Sequence, residues 1–303
     1  MIIIDYSQVA ISTLMAEING RTDVEIEKDL IRHMILNNIR SLKTKFAEEY
    51  GEVIIAADNK HYWRKDKFPH YKSNRKKARQ DSGLDWKLIF DTLTEIRTEI
   101  QAFFPYPVID AYGAEADDVI ATLAEWSQTN DLVSVASFWE PQPKPFLILS
   151  GDHDFIQLQR YKNVSQYAPV QKKWIKPEQS ISYYLFEHIV KGDKGDGIPN
   201  ILSEDMSIVN GIRQKPVTAK RLEEWKAVWK DSTLDGFAGT QEDSIQRHFN
   251  RNRYLIDFEY IPSTVKNNIL EAWNSKPKKD KSLILDYLIK HGMKNLIDSL
   301  GDF

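Results

Sequence analysis

Three short apolar runs in this chain each stop at an aspartate: "MIIID" (1–5), "EVIIAAD" (52–58) and "FLILSGD" (146–152). Runs of this length and composition read as strands buried on both faces. Longer segments of helical period lie between them. Ile31, Ile35, Ile39 and Leu42 share one face of a helix expected over 25–50, and Ile89, Leu93, Ile96 and Ile100 one face of a helix over 85–103. A further strand is expected at "YPVIDAY" (106–112) and a helix opening in "AEADDVIATLAEW" (114–126), and a Pro-rich loop, "EPQPKP" (140–145), leads into the strand at 146. This alternation predicts an α/β fold with a mostly parallel central sheet and helices on both faces. After about residue 185 helical patterns dominate, at 218–230, 244–256, 264–274 and 282–300. The expected organisation is an α/β domain over 1–185 and a smaller C-terminal all-helical domain over 186–303.

Parallel strands joined by right-handed crossovers place their carboxyl ends on one sheet edge, where open α/β sheets bind ligands. Asp5, Asp58 and Asp152 therefore converge, with Glu115 and Asp117 at the start of the next helix and Asp154 beside Asp152. Two unit charges ~4 Å apart repel by about 4 kcal/mol at an effective dielectric near 20. Six carboxylates together call for cations. The chain has no cysteine and no His pair at ligand spacing. An all-oxygen site then selects hard ions, Mg²⁺ or Mn²⁺, and two of them suit the attacking and leaving oxygens of phosphodiester hydrolysis. Taken singly, an Asp at a strand end or helix start is a cap or turn residue. That reading is kept for Asp110, Asp118 and Asp131, and His153 is read as an exposed turn residue. A second acidic element, "KGDKGDGIPN" (191–200), carries Asp193 and Asp196.

The formal net charge is only −3, but the charges are segregated. Between Lys60 and Arg79 nine Lys and Arg residues face one acid, Asp66, and are interleaved with Tyr62, Trp63, Phe68 and Tyr71. Cations that track phosphates beside aromatic stacking faces suit single-stranded nucleic acid. No apolar run approaches the roughly 20 residues of a membrane span, and "MIIIDYSQ" lacks the form of a signal peptide. The expectation is a cytoplasmic protein without a membrane segment.

The motifs "IIIDYSQVAIST", "ADNKHYWRKDKFPHYKSNR", "AEADDVIA", "LSGDHDFIQL" and "KGDKGDG", in this order, resemble those of the 5′-nuclease (flap endonuclease) superfamily. The resemblance spans the whole chain and is strongest to T-even bacteriophage members, through "YAPVQKKW" (167–174) and "LIDFEYIP" (255–262). It implies that Asp5, Asp58, Glu115, Asp117 and Asp152 surround one metal position, and Asp117, Asp152, Asp154 and Asp193 the other, with Asp196 close by. It implies two Mg²⁺ ions, replaceable by Mn²⁺. The basic segment (about 60–80) becomes an arch over the active site, with Lys72 and Arg75 in catalysis and Arg64, Tyr71, Lys72, Arg75 and Lys76 on nucleic acid. Lys215 and Lys220 would hold a phosphate backbone in the C-terminal domain, read as DNA-binding. The implied enzyme is a Mg-dependent 5′-nuclease of ribonuclease H and flap endonuclease type, removing lagging-strand RNA primers in phage DNA replication. Its expected substrates are DNA and RNA–DNA duplexes with 5′ ends or flaps. Expected partners are a single-stranded DNA-binding protein and a sliding clamp, the expected state is a monomer, and for a phage protein the compartment is the host cytoplasm.

One departure is that 198–225 lacks the repeated-glycine hairpin with which many relatives of the resembled family bind duplex phosphates, so the resemblance carries over no prediction of a monovalent cation site. Two alternatives remain beside the enzyme: a non-catalytic nucleic-acid binder on the same scaffold, and a PIN-type metal-dependent ribonuclease. A phosphoacceptor receiver domain would share the strand-end acids without needing the basic segment or the second acidic loop.

Overall fold

The computed structural model describes residues 1–18, 27–133, 140–230, 234–276 and 281–303. The first part of the chain runs β1 (Ile2–Asp5), α1 (Tyr6–Ile18), α2 (Lys28–Tyr50), β2 (Val53–Ala56), α3 (Trp63–Lys67), α4 (Asn74–Asp81), α5 (Trp86–Phe103), β3 (Val108–Ile109) and α6 (Ala116–Asn130). Then come β4 (Leu132–Val133), β5 (Gln142–Pro143), β6 (Phe146–Leu149), a 3-10 helix (His153–Arg160), β7 (Val164–Ala168) and β8 (Lys173–Ile175). The rest is helical: α7 (Ile181–Lys191), α8 (Ala219–Lys230), α9 (Leu234–Gly239), α10 (Asp243–Ile256), α11 (Ser263–Asn274), α12 (Ser282–Lys290) and α13 (Lys294–Ile297). Residues 25 and 26 of the helix expected over 25–50 lie outside the described residues. Among the described residues no helix is long and apolar enough to cross a membrane.

Two compact units result. The first comprises residues 1–61, 84–176 and 263–303, and the second 62–83 and 177–262. The sequence placed one boundary at 185; in packing terms the basic segment instead joins the helical unit, and the last 41 residues return to the sheet-bearing one. The cause is where apolar side chains find a core. Phe68 and Tyr71 of the basic segment are buried in one cluster with Phe186, Trp225, Phe237 and Phe249. Ile284, Tyr287, Leu288 and Phe303 are buried in another, with Ile2, Ile4 and Ile55.

In the first unit the main sheet has the order β3-β2-β1-β6-β7-β8, parallel except for β8. The strands Ile2–Asp5, Val53–Ala56 and Phe146–Leu149 are buried at every position, as sheets covered on both faces require. Alternate residues serve opposite faces. Ile2, Ile4, Val53, Ile55, Leu147 and Leu149 pack with α1, α2 and α5, while α6 contacts β1 and β2. From β1 the chain adds β2 and β3 on one side and later β6 and β7 on the other. The order therefore reverses between β1 and β6, a topological switch point of the kind at which ligands bind.

Some elements differ from the sequence expectation. The strand expected over 106–112 contracts to Val108–Ile109. The Pro-rich loop contributes β5, which pairs antiparallel with β4. The helix expected over 282–300 breaks into α12 and α13, because Gly292 adopts φ 65°, a left-handed conformation that ends helices.

The C-terminal segment is held by a polar staple as well as by its core contacts. The Tyr287 hydroxyl donates to Glu99 (2.6 Å), which also accepts from the buried Arg32 guanidinium (2.8 Å). Leu288, wholly buried in this core, should cost about 2–5 kcal/mol when cut to Ala. Urea unfolding of Leu288→Ala measures this, and a loss under about 1 kcal/mol would show that α12 is peripheral to the sheet-bearing unit.

Candidate metal centre

At the switch point the carboxyl ends of β1 and β6 lie side by side, since Ile4 is in register with Leu149. One residue on, the Ser150 hydroxyl donates to Asp5 Oδ2 (3.1 Å), and the Gln8 amide donates to Asp5 Oδ1 (3.2 Å). Asp5 is 4 % exposed. Burial, then the neighbouring Asp58 carboxylate, and more weakly Asp152, push its pKa up to about 7 against the two hydrogen bonds. Asp58 and Asp152 thus both lie close enough to Asp5 for their charges to be felt.

Asp58 extends β2 by two residues, and its Oδ1 accepts from the Ala116 amide at the start of α6 (2.9 Å). That contact draws the first turn of α6 to the cluster and brings Glu115 as N-cap and Asp117 in the first turn. Asp118 is wholly buried and its Oδ2 accepts from the Glu115 amide (2.9 Å), the capping role expected of it. Behind Asp58, Arg97 donates to its carbonyl (3.0 Å) and pairs with Asp110 (3.1 Å), while Asn59 donates to Asp110 (2.6 Å). Asp110 is thus a brace under Asp58.

Asp152 caps the 3-10 helix, its Oδ1 accepting from the Asp154 amide (2.9 Å). Capping and metal binding are compatible, because a carboxylate has two oxygens and about four acceptor sites. The Gln166 amide on β7 donates to the carbonyls of Ser150 (3.0 Å) and Asp152 (2.6 Å) and so fixes this turn. Gln8 accepts from the Gly151 amide (3.1 Å), and a Cβ on Gly151 would meet the Gln8 side chain at 2.9 Å. Gln8, Ser150 and Gln166 were not singled out in the sequence. Amides and hydroxyls are common everywhere, and only the register of three strands gives these their role.

The other expected site residues belong to the second unit. Asp193 Oδ1 accepts from the amides of Gly195 (2.7 Å) and Asp196 (3.1 Å). Burial alone would raise its pKa, but His188 and these amides hold it below the ordinary carboxylate value. Asp196 accepts from the Tyr71 hydroxyl (2.7 Å) and from the Arg75 guanidinium, and lies 3.5 Å from Lys72 Nζ. The Lys72 amide also donates to the Asp196 carbonyl (2.7 Å). Gly197 (φ 73°) follows, and a Cβ there would stand 3.0 Å from the His70 carbonyl. The Gly-Asp loop is therefore the floor on which residues 70–75 rest.

Two expectations for the basic segment are corrected. Arg64 is 2 % exposed and donates from Nε to the Leu255 carbonyl (2.8 Å), so it is a packing residue and not a phosphate ligand. Trp63, Phe68 and Tyr71 are likewise buried, which removes them as stacking faces for bases. Aromatic rings in a cationic segment go to the core when one is within reach, because their burial gains more than exposure. Lys76, Lys215 and Lys220 remain exposed, with Lys220 4.0 Å from Glu224.

A model of the 5′-3′ exonuclease N-terminal resolvase-like domain matches residues 2–184, and one of the T4 RNase H C-terminal region matches 179–303. The chain belongs to the 5′-3′ exonuclease family. As a member of it, this protein is a hydrolytic nuclease. It is 31 % identical to ribonuclease H of Enterobacteria phage T4 over 99 % of this chain and 95 % of that one. Its fold is that of the phage T5 D15 protein co-crystallised with metal ions (TM-score 0.60, 14 % identity, covering 89 % and 98 % of the two chains). The D15 flap endonuclease in a pseudo-enzyme-product complex with DNA and metal ions is similarly alike (TM-score 0.59, 15 % identity, 90 % and 99 % covered). The two family models meet at 179–184, whereas the packing units interleave across that point.

The raised pKa of Asp5 has a measurable consequence. A folded-state value near 7 against an ordinary 3.8 means that the native state holds an extra proton between them. The Asp5 contribution to stability is full below pH 3.8 and is lost as pH rises through about 7. Metal-free protein should therefore lose melting temperature across this window, and Asp5→Asn should flatten that part of the profile. Millimolar Mg²⁺ should restore the wild-type melting temperature at neutral pH and leave that of Asp5→Asn nearly unchanged.

Proposed function

We propose that this nuclease is a Mg²⁺-dependent 5′ to 3′ exonuclease and 5′ flap endonuclease acting on RNA–DNA and DNA duplexes through two metal ions. The reading rests on one observation: the charges of Asp58 and Asp152 act on the buried Asp5 at the switch point of the sheet, and Asp58 accepts from the Ala116 amide at the start of α6, the turn that carries Glu115 and Asp117. The carboxylates proposed as ligands offer oxygen only, and burial together with the neighbouring Asp58 and Asp152 charges leaves Asp5 with a raised pKa, so these residues fit hard divalent cations. Bound there, such ions supply charge neutralisation at the phosphodiester and an acidified water.

The protein's own groups prepare that chemistry. Ser150 and Gln8 hold Asp5, the Ala116 amide holds Asp58, and Gln166 holds the turn bearing Asp152. These fixed donors keep the carboxylates oriented before substrate arrives, which lowers the reorganisation the reaction must bear. Lys72 and Arg75, positioned on Asp196, are the cations proposed to meet the scissile phosphate's charge. Relatives named ribonuclease H and flap endonuclease support the choice of an RNA–DNA duplex and a 5′ flap as substrates. On that basis the biological task we assign is removal of RNA primers during phage DNA replication.

The test uses two 5′-labelled substrates, a duplex with an RNA primer and a duplex with a 5′ flap, each in Mg²⁺, Ca²⁺ and EDTA. Short products from the 5′ end in Mg²⁺ and none in EDTA are expected. Asp117→Asn should lower cleavage roughly 100- to 1,000-fold, the range for a lost electrostatic group in a catalytic site, with binding little changed. Tight binding without cleavage by the wild type in Mg²⁺ or Mn²⁺ would establish the non-catalytic alternative.

A further inference from the structure

The edge of the main sheet carries a feature that the metal centre does not use. β7 runs parallel to β6, so the turn after Ala168 lies on the same sheet edge as Asp5 and Asp152. β7 stands about 4.8 Å from β6, and Gln166 ties it to the Asp152 carbonyl (2.6 Å). The turn 169–172 returns into β8, the last strand, with Tyr167 opposite Trp174 and Ala168 opposite Lys173.

Trp174 meets Phe46 and Tyr167 edge-to-face, with ring centroids 5.7 and 5.3 Å away, yet keeps 44 % of its surface in solvent. Exposed lysines surround it. Lys172 and Lys173 precede it, Lys176 follows, and Lys45 of α2 donates to the Tyr167 hydroxyl (2.7 Å) and lies 4.2 Å from that ring's centroid. Among the described residues, none of these four lysines pairs with a carboxylate within 4.0 Å. Lys172 also adopts φ 51°, a left-handed conformation that Gly or Asn takes at lower cost. Lysines alone would be an ordinary way to blunt an edge strand. A half-exposed Trp works against that purpose, and a strained Lys at the turn has no part in it.

We infer that the β7–β8 hairpin is a nucleic-acid contact: Trp174 stacks on an unpaired base of the substrate, and Lys172, Lys173, Lys176 and Lys45 bind the flanking phosphates. A planar apolar face framed by cations fits a single-stranded polyanion with exposed bases, and the hairpin's position on the carboxyl edge puts it within reach of a strand engaged at the metal centre. The inference rests on the proposed nuclease reading, and it adds that the single-stranded part of the substrate is gripped beside the sheet.

The experiment measures binding of full-length protein to a labelled 5′-flap duplex and to a blunt duplex, in EDTA, over a range of salt concentrations. Trp174→Ala should weaken flap binding roughly 5- to 150-fold, the range for one lost stacked base, and leave blunt-duplex binding unchanged. Because Trp174 also packs on Phe46, a second variant, Lys172→Gly with Lys173→Gln, changes only exposed side chains and relieves the left-handed Lys. It should melt no lower than wild type and reduce the salt slope of flap binding by about 1.4, two phosphate contacts on a single strand. Equal affinities and slopes for wild type and the double variant would overturn the inference, as would an equal loss of blunt-duplex binding in Trp174→Ala. Failure of the wild type itself to bind either substrate would instead refute the proposed flap-endonuclease reading.

Discussion

Burial of Asp5 beside other carboxylates at the carboxyl edge of β1, β2 and β6 is the constraint around which this protein is built. A buried Asp5 beside Asp58 and Asp152 is tolerable only because fixed donors face each acid and because its proton is easily retained. Such an arrangement costs stability in the metal-free protein and favours any hard cation that enters. The sheet bears this cost through its core. Ile2, Ile3, Ile4, Ile54 and Ile55 are at most 1 % exposed, so the strand ends are held rigidly where the charges meet.

The second unit solves a related problem with protein cations. Asp196, 8 % exposed, is matched by Tyr71, Lys72 and Arg75, and the match sets the base of the basic segment. Asp205 does the same for the 199–215 loop, pairing with Arg247 (3.0 Å) and with Arg251, which also donates to the Pro199 carbonyl (2.7 Å). This loop is thus fastened to α10 through a carboxylate and two guanidinium groups.

Much of the first unit was legible from residues alone. The all-apolar strands, their terminal aspartates and the helix start at Glu115 and Asp117 follow from short-range pattern and turn chemistry, and the structure draws these acids to one edge. Arg64, Trp63, Phe68 and Tyr71 misled for an identifiable reason. A segment dense in Lys and Arg looks solvated throughout, and nothing local reveals that its aromatic rings fill a core made by residues more than 100 positions later. The same holds for α12, whose pattern announces an amphipathic helix but not the surface it covers.

By itself the sequence determined the three all-apolar strands that end in aspartates, and that an oxygen-only cluster needs hard cations, because these depend on side chains a few positions apart. Tertiary structure alone decided the strand order that makes a switch point between β1 and β6, the donors that orient each carboxylate, and the return of residues 263–303 to the sheet. It also decided which cations stay in solvent and which are spent on the protein's own acids. Those outcomes depend on groups far apart in the chain meeting at a few ångströms, and on competition between burial and hydration that no local stretch of sequence can settle.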